Sequence, residues 1–169
     1  MLNALKRRLK NEKGLTLIEL LAVVVILGII AAIAIPAIGG LIDNSKRDAH
    51  IANATQMVNS AKTYVASNPA DLEFTSNEAA VSLETLINKG MIDEPEDPDT
   101  GKKGASDGYV PTSSQVKITR TPATAATTGA NAAAAKAAQY KYEVILIGNE
   151  RQIAETTLDE LDRDDVVTK

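Results

Sequence analysis

The chain has 169 residues, room for one domain and an anchor. With no Cys, a single His and few aromatics, it can hold no disulfide, thiolate metal site or cysteine nucleophile, and a histidine metal site or a Ser-His-Asp triad is a poor fit. Of its 18 basic and 22 acidic side chains, five basic ones (Lys6, Arg7, Arg8, Lys10, Lys13) and only Glu12 fall in residues 1–14, so the remainder is strongly acidic and argues against direct nucleic-acid binding.

A basic block followed by an apolar run is a membrane-topology signal that keeps the N-terminus on the cytoplasmic side. From Leu20 to Ile42 the chain carries no charge (LLAVVVILGIIAAIAIPAIGGLI). At 1.5 Å per residue this run reaches about 34 Å, enough for a hydrocarbon core of about 30 Å. It is too long for the apolar region of an ordinary secretory signal, usually about 7–15 residues.

Beyond the membrane face, Ile51, Ala54, Val58, Ala61 and Val65 recur at spacings of three and four, which predicts an amphipathic continuation of the same helix. Asn68-Pro69 is the expected stop. One helix from about Leu15 to Ser67 would be on the order of 80 Å long. Pro36 and the pair Gly39-Gly40 are its weak points, where a break or kink is expected.

A short helix is predicted from Asn77 to Lys89, with Ala80, Leu83, Leu86 and Ile87 on one side and Gly90 as its stop. The segment 93–108 (DEPEDPDTGKKGASDG) reads as a loop. Its clustered carboxylates suit a calcium ion, but they match no EF-hand spacing and two Pro residues suit a solvated turn, so no metal or other cofactor is assigned. Strands are expected at Gln115–Arg120, at Tyr140–Ile147 and at Arg151–Thr157, the last two pairing across Gly148-Asn149-Glu150. Residues 121–138 are of low complexity, and the tail from Leu158 is acidic and read as exposed. His50, beside Lys46, Arg47 and Asp48, reads as a polar helix residue. No constellation suggests catalysis, and the chain is expected not to be an enzyme.

At the helix entry the sequence runs Lys13-Gly14-Leu15-Thr16-Leu17-Ile18-Glu19. A carboxylate inside an apolar run costs about 2.5–3.5 kcal/mol at a bilayer centre and less near its edge, so Glu19 calls for a partner. It can snorkel, bond its own helix N-terminus, or pair with another group. The string KGLTLIELLAVVVILGIIAAIAIPA resembles the N-terminal signature of type IV pilins, competence pilins and type II secretion pseudopilins. The likeness is specific over Lys13 to Pro36 and looser along the rest of the helix.

That resemblance implies an α+β fold, a long N-terminal helix packed on a small C-terminal antiparallel sheet. It implies a leader (1–14) removed after Gly14 by a membrane-embedded prepilin peptidase, N-methylation of the new terminus Leu15, and pairing of Glu19 with the terminal amine of a neighbouring subunit. Pro36 matches the family's helix-breaking proline. Leu15 stands where Phe is commonest in the family. The expected division is a membrane and filament-core helix (15–42), its amphipathic continuation (43–68) and a head (69–169).

The implied role is a subunit of a type IV pilus-like filament, with a secretion pseudopilin or a competence pilus subunit as alternatives. A single-pass membrane protein with a sensing or enzymatic head is the reading from another class. Implied partners are other copies of the chain, the peptidase and methyltransferase, an assembly ATPase and a platform membrane protein. The precursor would lie in the cytoplasmic membrane and the assembled filament at the cell surface.

Overall fold

Helix α1 covers Leu17–Ser67 and has two different surroundings along its length. The computed structural model describes residues 16–68, 72–124 and 136–169. Gly14, Leu15, Pro69 and the middle of the low-complexity segment lie outside the described residues. By its contacts the chain divides into two units, Met1–Asp43 and Asn44–Lys169. In the first, α1 is helical without interruption through Pro36, Gly39 and Gly40, so the break expected there is absent. A proline deletes one donor from the ladder, and the bonds around it hold the turn.

The second unit is an α+β head. After α1 come β1 (Glu78–Ser82), α2 (Leu83–Asn88), β2 (Gln115–Thr121), β3 (Gln139–Ile147), β4 (Arg151–Thr157), a 3-10 turn (Arg163–Asp165) and β5 (Val166–Thr168). The strands form one five-stranded sheet in the order β1-β2-β3-β4-β5, each neighbour antiparallel. The predicted strands of β2, β3 and β4 and their hairpin are present. A register shift between Val144 and Leu146 bends the β3–β4 ladder.

One sheet face is apolar and one polar, as period-two alternation requires. Val116 and Ile118 of β2, Val144 and Leu146 of β3 and Ile153 of β4 are buried. They share one core with Ala54, Met57, Val58, Ala61, Tyr64 and Val65, the apolar stripe of α1. On the other face Lys117 sits between Glu155 at 3.0 Å and Glu78 at 3.7 Å, and these carboxylates raise its pKa.

Three predictions fail in the head. The helix expected over Asn77–Lys89 is a strand followed by a helix of six residues. Ser76 (φ 53°) and Asn77 (φ 70°) occupy the left-handed region of a tight turn closed by two backbone bonds between Thr75 and Glu78. The chain therefore enters an extended segment in which Ala79 and Val81 point inward and Ala80 outward. Helix starts only at Ser82, whose hydroxyl accepts from the Thr85 N–H as an N-cap. Its stop at Gly90 is as expected: Gly90 N–H bonds the Ile87 carbonyl and Met91 N–H the Leu86 carbonyl, a Schellman closure.

The acidic tail is also not simply exposed. Val166 is fully buried in β5. Arg163 grips Asp48 of α1 through two bonds of 2.6 Å, which lowers the Asp48 pKa. Arg47 donates to the carbonyls of Arg163 and Val166, both at 2.9 Å.

The third correction concerns His50, which is 1% exposed and is the hub of a buried polar network. Its Nε2 lies 3.0 Å from Asp99 Oδ2 and its Nδ1 2.7 Å from the Tyr109 hydroxyl. Asn53 Nδ2 donates to that same hydroxyl at 3.0 Å. The tautomer protonated at Nε2 satisfies every partner, with Tyr109 donating to Nδ1 and the ring donating to Asp99. Burial raises the Tyr109 pKa, so the phenol remains a donor.

Asp97, in turn, ties the loop to itself and to the β3–β4 connection. Its Oδ1 accepts from Asp99 N–H and its Oδ2 from Asn149 N–H, each at 2.8 Å. Gly148 is required beside it, since a Cβ there would sit 2.6 Å from Asp97 Oδ2 and 2.9 Å from the Arg151 carbonyl. His50, Asp97 and Asp99 offer three ligand atoms within 4.8 Å of one another. Lys46 at 3.5 Å and Arg151 at 3.4 Å already balance the charge of Asp99, which makes the group an ion-paired clamp between loop 93–108 and α1.

Tyr109→Phe keeps the ring and removes the hydroxyl that bridges His50 and Asn53. It is expected to cost about 1–3 kcal/mol, the range for leaving buried polar groups unpaired. Chemical denaturation of the detergent-solubilised chain measures it, and an unchanged midpoint would show the network to be dispensable.

Candidate assembly site

The first turn of α1 is built as a reciprocal cap. Thr16 precedes the helix and Glu19 follows three residues later, the spacing at which each side chain reaches the other's backbone. Glu19 N–H donates to Thr16 Oγ1 at 3.3 Å, while Thr16 N–H donates to Glu19 Oε2 at 2.8 Å. The Thr16 hydroxyl also donates to Glu19 Oε2, at 2.7 Å. Of the three fates open to Glu19 on sequence grounds, this chain by itself shows bonding to its own helix start. The T-x-x-E spacing that signals it was visible in the sequence, and Thr16 is the residue that sequence reasoning passed over.

This cap satisfies two of the donors that a helix start leaves open. It leaves Glu19 Oε1 with no partner among the described residues, and both capping residues are exposed. The carboxylate is thus held in place and still has lone pairs to offer a cation. Gly14 and Leu15, the residues on either side of the expected cut, lie outside the described residues.

Following the cap, the helix is apolar on every side. Leu17 to Ile42 includes large aliphatic side chains that are half or more exposed throughout, from Leu17 at 86% to Ile42 at 53%. The stretch is long and apolar enough to cross a membrane, and none of it is buried within the chain. Isolated apolar residues on a surface need no explanation, but a continuous apolar cylinder does, because water solvates it poorly. Gly28, Gly39 and Gly40 add bare backbone to it: a Cβ at any of the three would meet nothing within 4 Å. Nothing in the fold of this chain needs glycine there for space, whereas a second helix approaches such positions closely.

Residues 9–35 match the family profile described as the prokaryotic N-terminal methylation motif, the class III signal peptide of type IV pilins and pseudopilins. The match encloses Gly14, Leu15 and Glu19 and stops before Pro36. A motif of this kind is the substrate signal for prepilin peptidase and for pilin polymerisation, and it supports a pilin-like or pseudopilin precursor anchored in a membrane by its apolar helix. No curated protein and no solved structure matches the chain.

Thr16→Ala removes the hydroxyl half of the cap and leaves Glu19 held only by the backbone N–H of residue 16. The expected cost is about 1 kcal/mol of helix stability, confined to the first turn. Amide hydrogen exchange in micelles checks this: faster exchange at residues 17–19 and unchanged rates beyond residue 24 are the expected result.

Proposed function

We propose that this chain is the precursor of a structural subunit of a type IV pilus-like filament, cut after Gly14, N-methylated at Leu15 and polymerised through α1. The observation that carries the reading is the exposed apolar stretch of α1, which begins inside the methylation motif and runs on beyond it. A leader that keeps its basic residues inside, a helix that waits in the bilayer, and a head outside are the parts such a subunit requires.

In this reading cleavage does chemical work beyond trimming. It creates a charged amine at Leu15, four residues before Glu19. In the dry core of a filament a carboxylate must be paired or protonated, and the amine of a neighbouring subunit supplies the pairing. The cap described above holds Glu19 through Oε2 and leaves Oε1 for that partner. Apolar contact between neighbouring helices then holds the polymer. At about 25 cal/mol per Å², a few hundred Å² per contact contributes several kcal/mol, less whatever lipid contact it replaces.

The partners follow from the same reading: other copies of the chain, a prepilin peptidase and methyltransferase, an assembly ATPase and a platform membrane protein. The chain itself carries out no catalysis. Pro36 and Gly39-Gly40 are where α1 would bend or melt on leaving the bilayer, since they are the cheapest points at which to open its ladder.

Two variants test the mechanism in cells that express the full precursor. Gly14→Val places a branched side chain at the cut and is expected to leave the leader attached, read by N-terminal sequencing. Glu19→Ala is expected to keep cleavage but to lower the yield of sheared fibres at least tenfold by electron microscopy. Wild-type chains that retain Met1 would refute the precursor reading, and normal fibres from Glu19→Ala would refute the pairing role.

A further inference from the structure

The chain has four Tyr and one Phe, and three of these five rings line a single groove in the head. Phe74, Tyr140 and Tyr142, with Leu72, Lys62 and Arg120, surround a volume of about 470 Å³. The Phe74 and Tyr140 rings stand 6.3 Å apart. The Arg120 guanidinium lies 4.7 Å from the Phe74 ring centre, and Lys62 Nζ 5.5 Å from that of Tyr142. Such contacts hold a cation in place without neutralising it.

These two cations differ from most others in the head. Lys46, Lys102, Lys117, Lys141, Arg151 and Arg163 each meet a carboxylate. Among the described residues neither Lys62 nor Arg120 does, and Arg120 Nε is enclosed with no hydrogen-bond partner. Two of the head's cations without a carboxylate partner thus stand together in its most aromatic groove. An anionic segment is the complement that this arrangement lacks.

The head supplies such a segment itself, beside an earlier stretch of the same helix. The groove takes Lys62 and Val65 from the last turns of α1. The acidic 3-10 turn is tied to Arg47 and Asp48, about 21 Å earlier along the helix axis at 1.5 Å per residue. There Asp162 and Asp164 are exposed. Asp162 and Asp165 cap each other's backbone, so the turn is a preformed and rigid acidic knob. Too distant to fill its own groove, it is placed to reach that of another copy. Complementary patches that lie apart on one domain give a heterologous contact, which propagates into an open filament when it does not close into a ring.

We propose that the groove of Phe74, Tyr140, Lys62 and Arg120 receives the Asp162–Asp165 turn of a second copy of this chain, a head-to-tail contact that rests on the filament reading and adds a second seam to it. The contact also answers an electrostatic problem. Acidic heads packed side by side repel, and cations at the seam between them offset that repulsion and set its register.

The absence of Cys makes the test direct. Full-length chains carrying both Tyr140→Cys and Asp164→Cys are oxidised in sheared fibres, and a ladder of covalent dimers and higher species is expected, with no ladder above dimer from either single substitution. Separately, Lys62→Glu with Arg120→Glu is expected to cut fibre yield at least tenfold while leader cleavage and membrane level stay unchanged, and Asp164→Lys is expected to restore at least part of it. No ladder together with undiminished yield overturns the proposal. So does a double reversal that spares the fibres but removes their binding of a single-stranded oligodeoxynucleotide, which would make the groove a nucleic-acid site. If the wild-type chain forms no fibres, the filament reading falls by that result alone, and cross-linking in membranes then decides the contact independently.

Discussion

The burial of one stripe of α1 organises the entire head. Ala54, Met57, Val58, Ala61, Tyr64 and Val65 follow a three-four spacing and reach at most 9% exposure. Small residues alternate with large ones along the stripe, so the sheet can approach where alanine stands and interdigitate where methionine and tyrosine stand. At roughly 1.5–3 kcal/mol for each large apolar side chain taken out of water, this stripe outweighs any single polar contact in the head. The polar network around His50 and the Arg163–Asp48 pair are then fixed by it: they attach a loop and a tail to a helix whose rotation about its axis the core has already set.

How much of this was legible beforehand depended on the range of the signal. The three middle strands announce themselves locally, because Gln115–Thr121, Gln139–Ile147 and Arg151–Thr157 alternate and are bounded by turn residues. The stripe on α1 is likewise local. The region after Asn77 misled because Leu83, Leu86 and Ile87 do have helical spacing, and extending that pattern backwards through Ala80 ignored the turn at Ser76-Asn77. Nothing near His50 in sequence hints at its burial. Its partners are 49 and 59 residues away, in a loop whose composition reads as solvated. Likewise Val166 lies in a run of acids, and only the gap beside β4 gives it a place to go.

At the helix entry the position is reversed, since the motif itself was readable and the structure adds one residue to it. Thr16 turns the interior carboxylate from a cost into half of a cap. In the proposed pairing a neighbour's amine meets the open Oε1 while Oε2 stays in the cap.

The outer strands of the sheet have a consequence for crowding. Their lengths are five residues in β1 and three in β5, with Glu78 at the start of the one and Lys169 next to the end of the other. A sheet border with unmet N–H and C=O groups is a template for any other extended chain. In an array of identical domains at very high local concentration, a long bare border would zip neighbours together in arbitrary registers. Borders this short, with a charge at the end of each, leave too few ladder rungs for that. Order among the heads is thereby left to side-chain surfaces, which can be specific in a way that backbone pairing cannot.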